Sequence, residues 1–377
     1  MEIEEDSCSR LPRHQLVKSI VAALPSVGGD VDEEPRYEYV THLDHNCDGE
    51  QLAAALSSRE VKLYARETMH LAGQLTGHRG QLTHLAFAPS HANTLYSSSE
   101  DGDCKGWDTR TVKSVAKFGQ SGEEIWSIAL SHDGNLCATG KGSTVEFFDL
   151  RKAGKAVGSY AECHTDAVTQ VQFHPTKHSF LITGSEDGLM CFLDTSCSNE
   201  EEAVDSVLNA ECAVRTVGFF GREGEGVYCC TNTETLSLWD AAGARRNVDF
   251  GDVRAIARGD APTDDSQVGK RGGHHQKEWG VSVDYIVGCQ YEPEADRLRL
   301  VAGGFGGGGC LATVAAGGIT PDAVLEGGHA EQIRSFDWYG QSVVTGGEDA
   351  KMCRWRMSDG GNAGRADRGG GDSVMDD

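Results

Sequence analysis

The chain has 377 residues, with 34 Lys+Arg against 58 Asp+Glu and a formal net charge of −24. That balance argues against nonspecific nucleic-acid binding, which needs Lys and Arg to displace condensed counterions, and against an anionic membrane surface. Glycine accounts for 48 residues, about 13% against roughly 7% on average; this favours many turns over a helical bundle, since Gly costs about 1 kcal/mol in a helix interior.

The 13 cysteines are odd in number and scattered, with no C-x-x-C. In a chain of this size they read as reduced, partly buried thiols, and so point to a cytoplasmic or nuclear protein. Glu2, Glu4, Glu5 and Asp6 at the N-terminus do not suit a secretory signal or a transit peptide. No run approaches the 18 apolar residues of a membrane span.

In chain order, a phrase recurs. Residues 52–64 (LAAALSSREVKLY) form a weak copy ending at Tyr64. Residues 95–108 (LYSSSEDGDCKGWD) form a strong one, 136–149 (LCATGKGSTVEFFD) a weaker one, 181–194 (LITGSEDGLMCFLD) another strong one, and 227–240 (VYCCTNTETLSLWD) again a weaker one. After a polar insertion at 258–280, residues 298–314 (LRLVAGGFGGGGCLATV) supply a sixth unit. Residues 343–356 (VVTGGEDAKMCRWR) supply the last. In the three strong copies the step is six residues, from Asp101 to Trp107, from Asp187 to Leu193 and from Asp349 to Trp355. His78, His164 and His329 precede them. Seven units over 36–357 average 46 residues, close to the roughly 40–45 of a four-stranded propeller blade with its G-H…W-D signature. Within the units, apolar residues alternate with period 2 over short runs bounded by Gly, Asp, Asn and Pro, which predicts half-buried strands.

On these residues the chain resembles the WD40-repeat family of β-propellers. Within it, a narrower resemblance rests on HTDAVTQVQFHP (164–175), SEDG (185–188), NEEEAV (199–204), DYIVGCQYEPEADRLRLVAGG (284–304), GGHAEQIRSF (327–336) and TGGEDA (345–350). The resemblance implies an all-β, seven-bladed propeller. It also implies His–Ser/Thr–Asp–Trp networks: His78, Ser97, Asp101 and Trp107 in the second blade, and His329, Thr345, Asp349 and Trp355 in the seventh. The fourth has His164, Thr183 and Asp187, but Leu193 replaces Trp and removes one donor. The third, fifth and sixth blades lack recognisable networks and must rest more on apolar packing.

A propeller must close its ring. The residues after Trp355 are too Gly-rich and charged to form a strand, so the last blade needs a donor. Residues 15–22 (QLVKSIVA) are expected to fill that place, with a short helix as the alternative. Residues 1–35 then form an arm whose stretch 26–36 reads as linker, and the acidic, Gly-rich tail 358–377 reads as disordered.

Motifs that suggest chemistry do not assemble. Gly134…Gly140-Lys141 has the wrong spacing for a phosphate loop and lacks the following Ser/Thr; it reads as strand–turn–strand at the second and third strands. Gly304 to Gly309 fits G-x-G-x-x-G, but a strand-like run follows where the fingerprint needs a helix. His274-His275 lacks a third metal ligand at defined spacing. His78, His164 and His329 belong to different blades and are explained by the repeat. The expectation is a non-enzyme with no cofactor, no metal, no direct nucleic-acid partner and no membrane partner. It would work as a monomer inside a complex of other proteins.

One motif suggests a partner. Trp107-Asp108-Thr109-Arg110 is followed a blade later by Phe148-Asp149-Leu150-Arg151. The two resemble the docking motif of WD substrate receptors for cullin-4 RING ubiquitin ligases, in which the Arg faces the adaptor. Ser196 and Ala242 occupy the Arg position in the next two blades, which confines the signal to two neighbours. The structural alternative is an ordinary blade arginine lying over its own sheet. A third reading is a chromatin or histone-tail reader, whose acidic surface would suit a basic tail.

Overall fold

The computed structural model describes residues 11, 13–22, 38–119, 122–152, 154, 156–260 and 279–356. Seven antiparallel four-stranded sheets follow one another. One strand precedes them, β1 (Gln15–Val21). Blade 1 is β2 (Val40–His45), β3 (Gln51–Leu56), β4 (Val61–Ala65) and β5 (His70–Leu75). Blade 2 is β6 (Leu82–Phe87), β7 (Thr94–Ser99), β8 (Cys104–Asp108) and β9 (Lys113–Phe118). Blade 3 is β10 (Ile125–Leu130), β11 (Leu136–Lys141), β12 (Thr144–Asp149) and β13 (Gly158–Tyr160). Blade 4 is β14 (Val168–Phe173), β15 (Phe180–Ser185), β16 (Leu189–Asp194) and β17 (Val204–Asn209), with the short helix α1 (Glu200–Ala203) before its last strand. Blade 5 is β18 (Val214–Phe220), β19 (Gly226–Thr231), β20 (Thr235–Asp240) and β21 (Arg245–Asp252), followed by α2 (Val253–Arg258). Blade 6 is β22 (Tyr285–Glu292), β23 (Arg297–Gly303), β24 (Gly309–Ala315) and β25 (Gly318–Leu325). Blade 7 is β26 (Ile333–Tyr339), β27 (Ser342–Gly347) and β28 (Lys351–Arg356), completed by β1.

The closing segment is a strand. β1 runs antiparallel to β28, with Leu16 opposite Trp355 and Val21 opposite Lys351. Full closure removes the free edge that a three-stranded last blade would expose. The first strand of each blade contacts the first strands of both neighbours, so these seven line the centre. Each carries an extra residue near its start: Thr41, Thr83, Trp126, Thr169, Arg215 and Arg334 one step in, and Val287 two steps in. A bulge increases local twist and re-aims a side chain. Here several of these side chains, or the residues after them, reach the next blade. Thr83 donates to the Ile125 carbonyl, Ser127 to Val168 at 3.3 Å, Thr169 to Val214 at 2.7 Å and Arg215 to Ile286 at 2.7 Å.

Two expected boundaries shift. The insertion placed at 258–280 begins and ends inside ordered structure. Arg258 closes α2, and Trp279 is buried in the apolar cluster that joins blades 5 and 6, because an indole offers too much apolar area to leave in water. Its polar middle, 261–278 with His274 and His275, lies outside the described residues, as do the linker 26–36 and the tail 358–377. Gly134 sits in the turn between β10 and β11, and Lys141 ends β11, so the pair spans the first-to-second turn and the second strand rather than the second-to-third turn.

Candidate functional site

Antiparallel order puts the turns between second and third strands, and the connections between blades, on one face. The other two turns of each blade lie on the opposite face. The three networks sit on the first face. In blade 2, Trp107 Nε1 donates to Ser97 Oγ at 2.8 Å, and Ser97 is 2.8 Å from His78 Nε2. His78 Nδ1 lies 3.2 Å from an Asp101 oxygen. Asp101 also accepts the backbone N–H of Arg79 at 2.7 Å and of Asp103 at 3.0 Å, tying the blade connection to the turn below it. Blade 7 repeats this through Trp355, Thr345, His329 and Asp349, with steps of 2.9, 2.8 and 3.0 Å. Gly328 explains the glycine of the G-H pair: a Cβ there would stand 2.5 Å from the Trp355 ring. In blade 4, His164 lies 2.7 Å from Thr183 and 3.1 Å from Asp187, and Leu193 packs fully buried where the indole would be.

Each member has a partner when the imidazole is neutral: Trp donates to Ser, Ser donates to Nε2, and Nδ1–H donates to Asp. Burial lowers the pKa of His78 and His164, outweighing Asp101 and Asp187. In blade 7 burial also opposes the charge, but the hydrogen bonds to Asp349 and Cys353 outweigh it, and His329 rises to about 9. Burial raises the Asp101 and Asp187 carboxyls, but the backbone N–H groups and the histidines overcome it and hold both below the usual range.

The docking-motif residues lie on the opposite face, in the turns leaving β8 and β12. Trp107 and Phe148 are buried, and Phe148 packs 5.9 Å from Phe118. Arg110 turns back on Asp108 through Nε at 3.3 Å and Nη2 at 3.2 Å. Arg151 does the same on Asp149, both at 2.9 Å. These bonds hold Asp108 below the usual carboxylate range and bring Asp149 down to about 2. The two guanidinium side chains are 68% and 66% exposed, in neighbouring blades and on the same face.

The aspartates have a role of their own. Asp108, Asp149, Asp194 and Asp240 each accept the backbone N–H two residues on, at 2.9–3.0 Å. The Asp of the repeat therefore builds its turn whether or not an Arg follows. Asp252 and Arg254 form the same clasp at the start of α2. The clasp is thus local turn chemistry, and the pairing in neighbouring blades is what sets Arg110 and Arg151 apart.

Sequence reasoning missed a second polar cluster. Arg66 after β4 is buried and donates through Nε and Nη2 to Asp337 on β26, at 3.2 and 3.0 Å, and to Ser342 at 2.9 Å. His45 Nδ1 lies 2.5 Å from the other Asp337 oxygen, and the Asp44 carboxylate accepts the Phe87 N–H at 2.6 Å. Blades 7, 1 and 2 are thereby joined. Asp44, His45 and Asp337 are close enough to share a metal ion, but Arg66 and His45 already take both Asp337 oxygens. Trp126 was also missed. It stands at the bulge position of β10, 38% exposed, beside exposed Glu123 and Glu124. Its only sequence signal is a large aromatic residue where two other blades with clear networks carry Thr.

Seven closed blades with these networks define the class: the chain belongs to the WD40-repeat family of β-propellers. The family model described as "WD domain, G-beta repeat" matches residues 69–108, 112–149 and 154–194. Each match runs from the outer strand of one blade through the third strand of the next, so the sequence repeat is offset from the blade by one strand. The narrower resemblance is to WD repeat-containing protein 89. The chain is 30% identical over 340 residues to the WD repeat-containing protein 89 homolog of Dictyostelium discoideum, covering 89% of this chain and 86% of that one. It is 31% identical over 346 residues to WD repeat-containing protein GTS1 of Arabidopsis thaliana, covering 85% and 82%. Among solved structures, a chain of the mitotic checkpoint complex superposes with a TM-score of 0.68 at 13% identity, over 95% of this chain and 96% of that one, which supports the fold.

Proposed function

We propose that this WD-repeat scaffold is a substrate receptor of a cullin-4 RING ubiquitin ligase, docking on the adaptor through Arg110 and Arg151. The observation that carries the reading is the pair of clasped, exposed guanidinium groups on one face of neighbouring blades. Each clasp fixes its arginine in advance, and a fixed fork loses less entropy on meeting a carboxylate or backbone carbonyls of a partner. Trp107 and Phe148 support the turns from beneath. The role is non-catalytic, and its place is the cytoplasm, the nucleus or both.

The test is a paired affinity purification from cytosolic and nuclear fractions, with the intact chain and an Arg110→Ala/Arg151→Ala chain as baits. Both side chains are exposed, so the two baits should melt at the same temperature. The expected result is that the adaptor co-purifies with the intact chain and is lost with the variant. Equal recovery with both, or recovery with neither, overturns the reading.

Exposed Trp126, with Glu123, Glu124 and Glu162 on the face of the blade connections, favours a second reading, a chromatin reader that takes basic tails. A Trp126→Ala chain distinguishes the two. It should lose a basic histone-tail peptide if the second reading holds, and should leave adaptor capture unchanged if the first does.

A further inference from the structure

Cys230 on β19 and Cys289 on β22 face each other across the seam between blades 5 and 6. Their sulfurs are 3.8 Å apart and both residues are buried. A disulfide holds its sulfurs about 2.05 Å apart, so bonding needs an approach of about 1.8 Å. The neighbouring Cys229 points to the other side of its strand, into the cluster between blades 4 and 5, while Cys230 belongs to the cluster shared with blade 6.

The surroundings give the two sulfurs different roles. The S–H of Cys289 and the Arg215 guanidinium favour the Cys230 thiolate against the effect of burial. Burial, with Cys230 beside it, keeps Cys289 protonated. Arg215 is held by Glu234 at 3.0 Å and by the Ile286 carbonyl at 2.7 Å, and its side chain is 30% exposed. The molecule contains its own comparison at the seam between blades 2 and 3. There Cys104 lies against Cys137, both fully buried, and the Cys137 thiol together with burial raises Cys104 well above the ordinary thiol range, which withholds its thiolate.

We propose that Cys230 and Cys289 are a redox modification site, joined by peroxide into a reversible disulfide that staples blade 5 to blade 6. The Cys230 thiolate attacks one oxygen of hydrogen peroxide. The S–O bond forms, the O–O bond breaks, and the departing hydroxide takes up a proton and leaves as water. The Cys289 sulfur then attacks the sulfenic sulfur. The S–S bond forms, the S–O bond breaks, and the Cys289 proton leaves with the second hydroxide as water. Two thiols and one peroxide thus give one disulfide and two waters. The staple closes a loop between residues 59 apart and does not depend on the docking reading.

The experiment uses the full, reduced chain. It is exposed to hydrogen peroxide, unfolded in N-ethylmaleimide, and digested without reductant for peptide mass spectrometry. The expected result is a loss of two free thiols and a linked peptide pair holding Cys230 and Cys289, reversed by dithiothreitol. The oxidised chain should also melt at a higher temperature than the reduced one. The link should persist in Cys229→Ser and vanish in Cys230→Ser. Arg215→Gln should slow its formation at about pH 7, and the deficit should shrink as pH rises and hydroxide supplies the thiolate that Arg215 otherwise favours. A link through Cys229, a Cys104–Cys137 link that forms first, or thiols at Cys230 and Cys289 that stay free overturns the proposal. Mapping the unsubstituted chain separates these outcomes even if a variant misfolds.

Discussion

Blade 2 and blade 6 solve the same mechanical problem with different residues. Blade 2 locks inward: Trp107, Ser97, His78 and Asp101 all belong to the blade or to the connection that leads into it. Blade 6 has no His–Ser/Thr–Asp–Trp network among the described residues and locks with other polar groups, both outward and within. Gln290 exchanges hydrogen bonds with the backbone of Trp338 on blade 7, and the Tyr285 hydroxyl accepts the Ile333 N–H at 2.8 Å. Within the blade, buried Arg299 pairs with Glu292 and Asp322 and donates to Thr313 at 2.9 Å, a network with one member on each strand, and its guanidinium stands 4.6 Å from the centre of the Trp338 ring on blade 7. A blade can therefore lose the family's network when a different buried network and polar clasps at its seam stand in for it, and a faint repeat in the sequence does not mean a weak blade.

The comparison breaks most completely at the closing seam. Removing residues 1–22 deletes β1 and leaves β28 as an open edge; the expected outcome is loss of a single cooperative melting transition, read by calorimetry. The next largest effect belongs to the outward kind of lock. Arg66→Ala leaves buried Asp337 with His45 alone and strips Ser342 of its donor, and breaking a buried ion pair costs about 3–5 kcal/mol, measurable by denaturant unfolding. An inward lock should cost less: Asp101→Ala or Asp349→Ala leaves hydrogen-bond partners unpaired, for about 1–3 kcal/mol each. A melting temperature unchanged by Asp101→Ala, or an Arg66→Ala effect smaller than that of Asp101→Ala, would reverse the ranking.

The smallest effect is that of pH. His78 and His164 are held below their unfolded value, so the unfolded chain binds protons that the folded one refuses. Their contribution is complete above about 6.5 and is lost progressively as pH falls below it, through the lowered folded values. Asp101 and Asp187 are lowered too, so a further loss follows as pH falls below about 3.8. His329 works in the opposite sense. Its contribution is complete below about 6.5 and is lost as pH rises through about 9. The melting temperature should pass through a maximum between these limits. His329→Gln should flatten the alkaline side alone, and a flank that does not respond to it would separate the blade 7 network from the pH response.

The inward locks were legible in the sequence because they are local. His78 to Trp107 falls within one repeat, so the resemblance to the WD40 family carries all four residues over at once. Closure by the segment 15–22 was legible because the sequence after Trp355 reads as too Gly-rich and charged for a strand, which left the last blade in need of a donor. The outward clasps were not legible. Arg66 and Asp337 lie 271 residues apart and meet only because the ring closes. The sulfurs of Cys230 and Cys289 meet only because two faint repeats pack in a particular register. Trp279 was hidden in a polar stretch, where its neighbours in sequence outweighed its own demand for burial.

The closing strand has a consequence in time. Gln15 pairs with Arg356, so nearly the whole chain must be made before the first strand finds its place. At about 5–20 residues per second, synthesis of the intervening segment takes on the order of tens of seconds. Throughout that interval β1 is a strand without a sheet, and once blade 7 emerges it is a sheet without its edge. The nascent propeller is thus an open arc whose last joint joins its seventh blade to a strand made before the first.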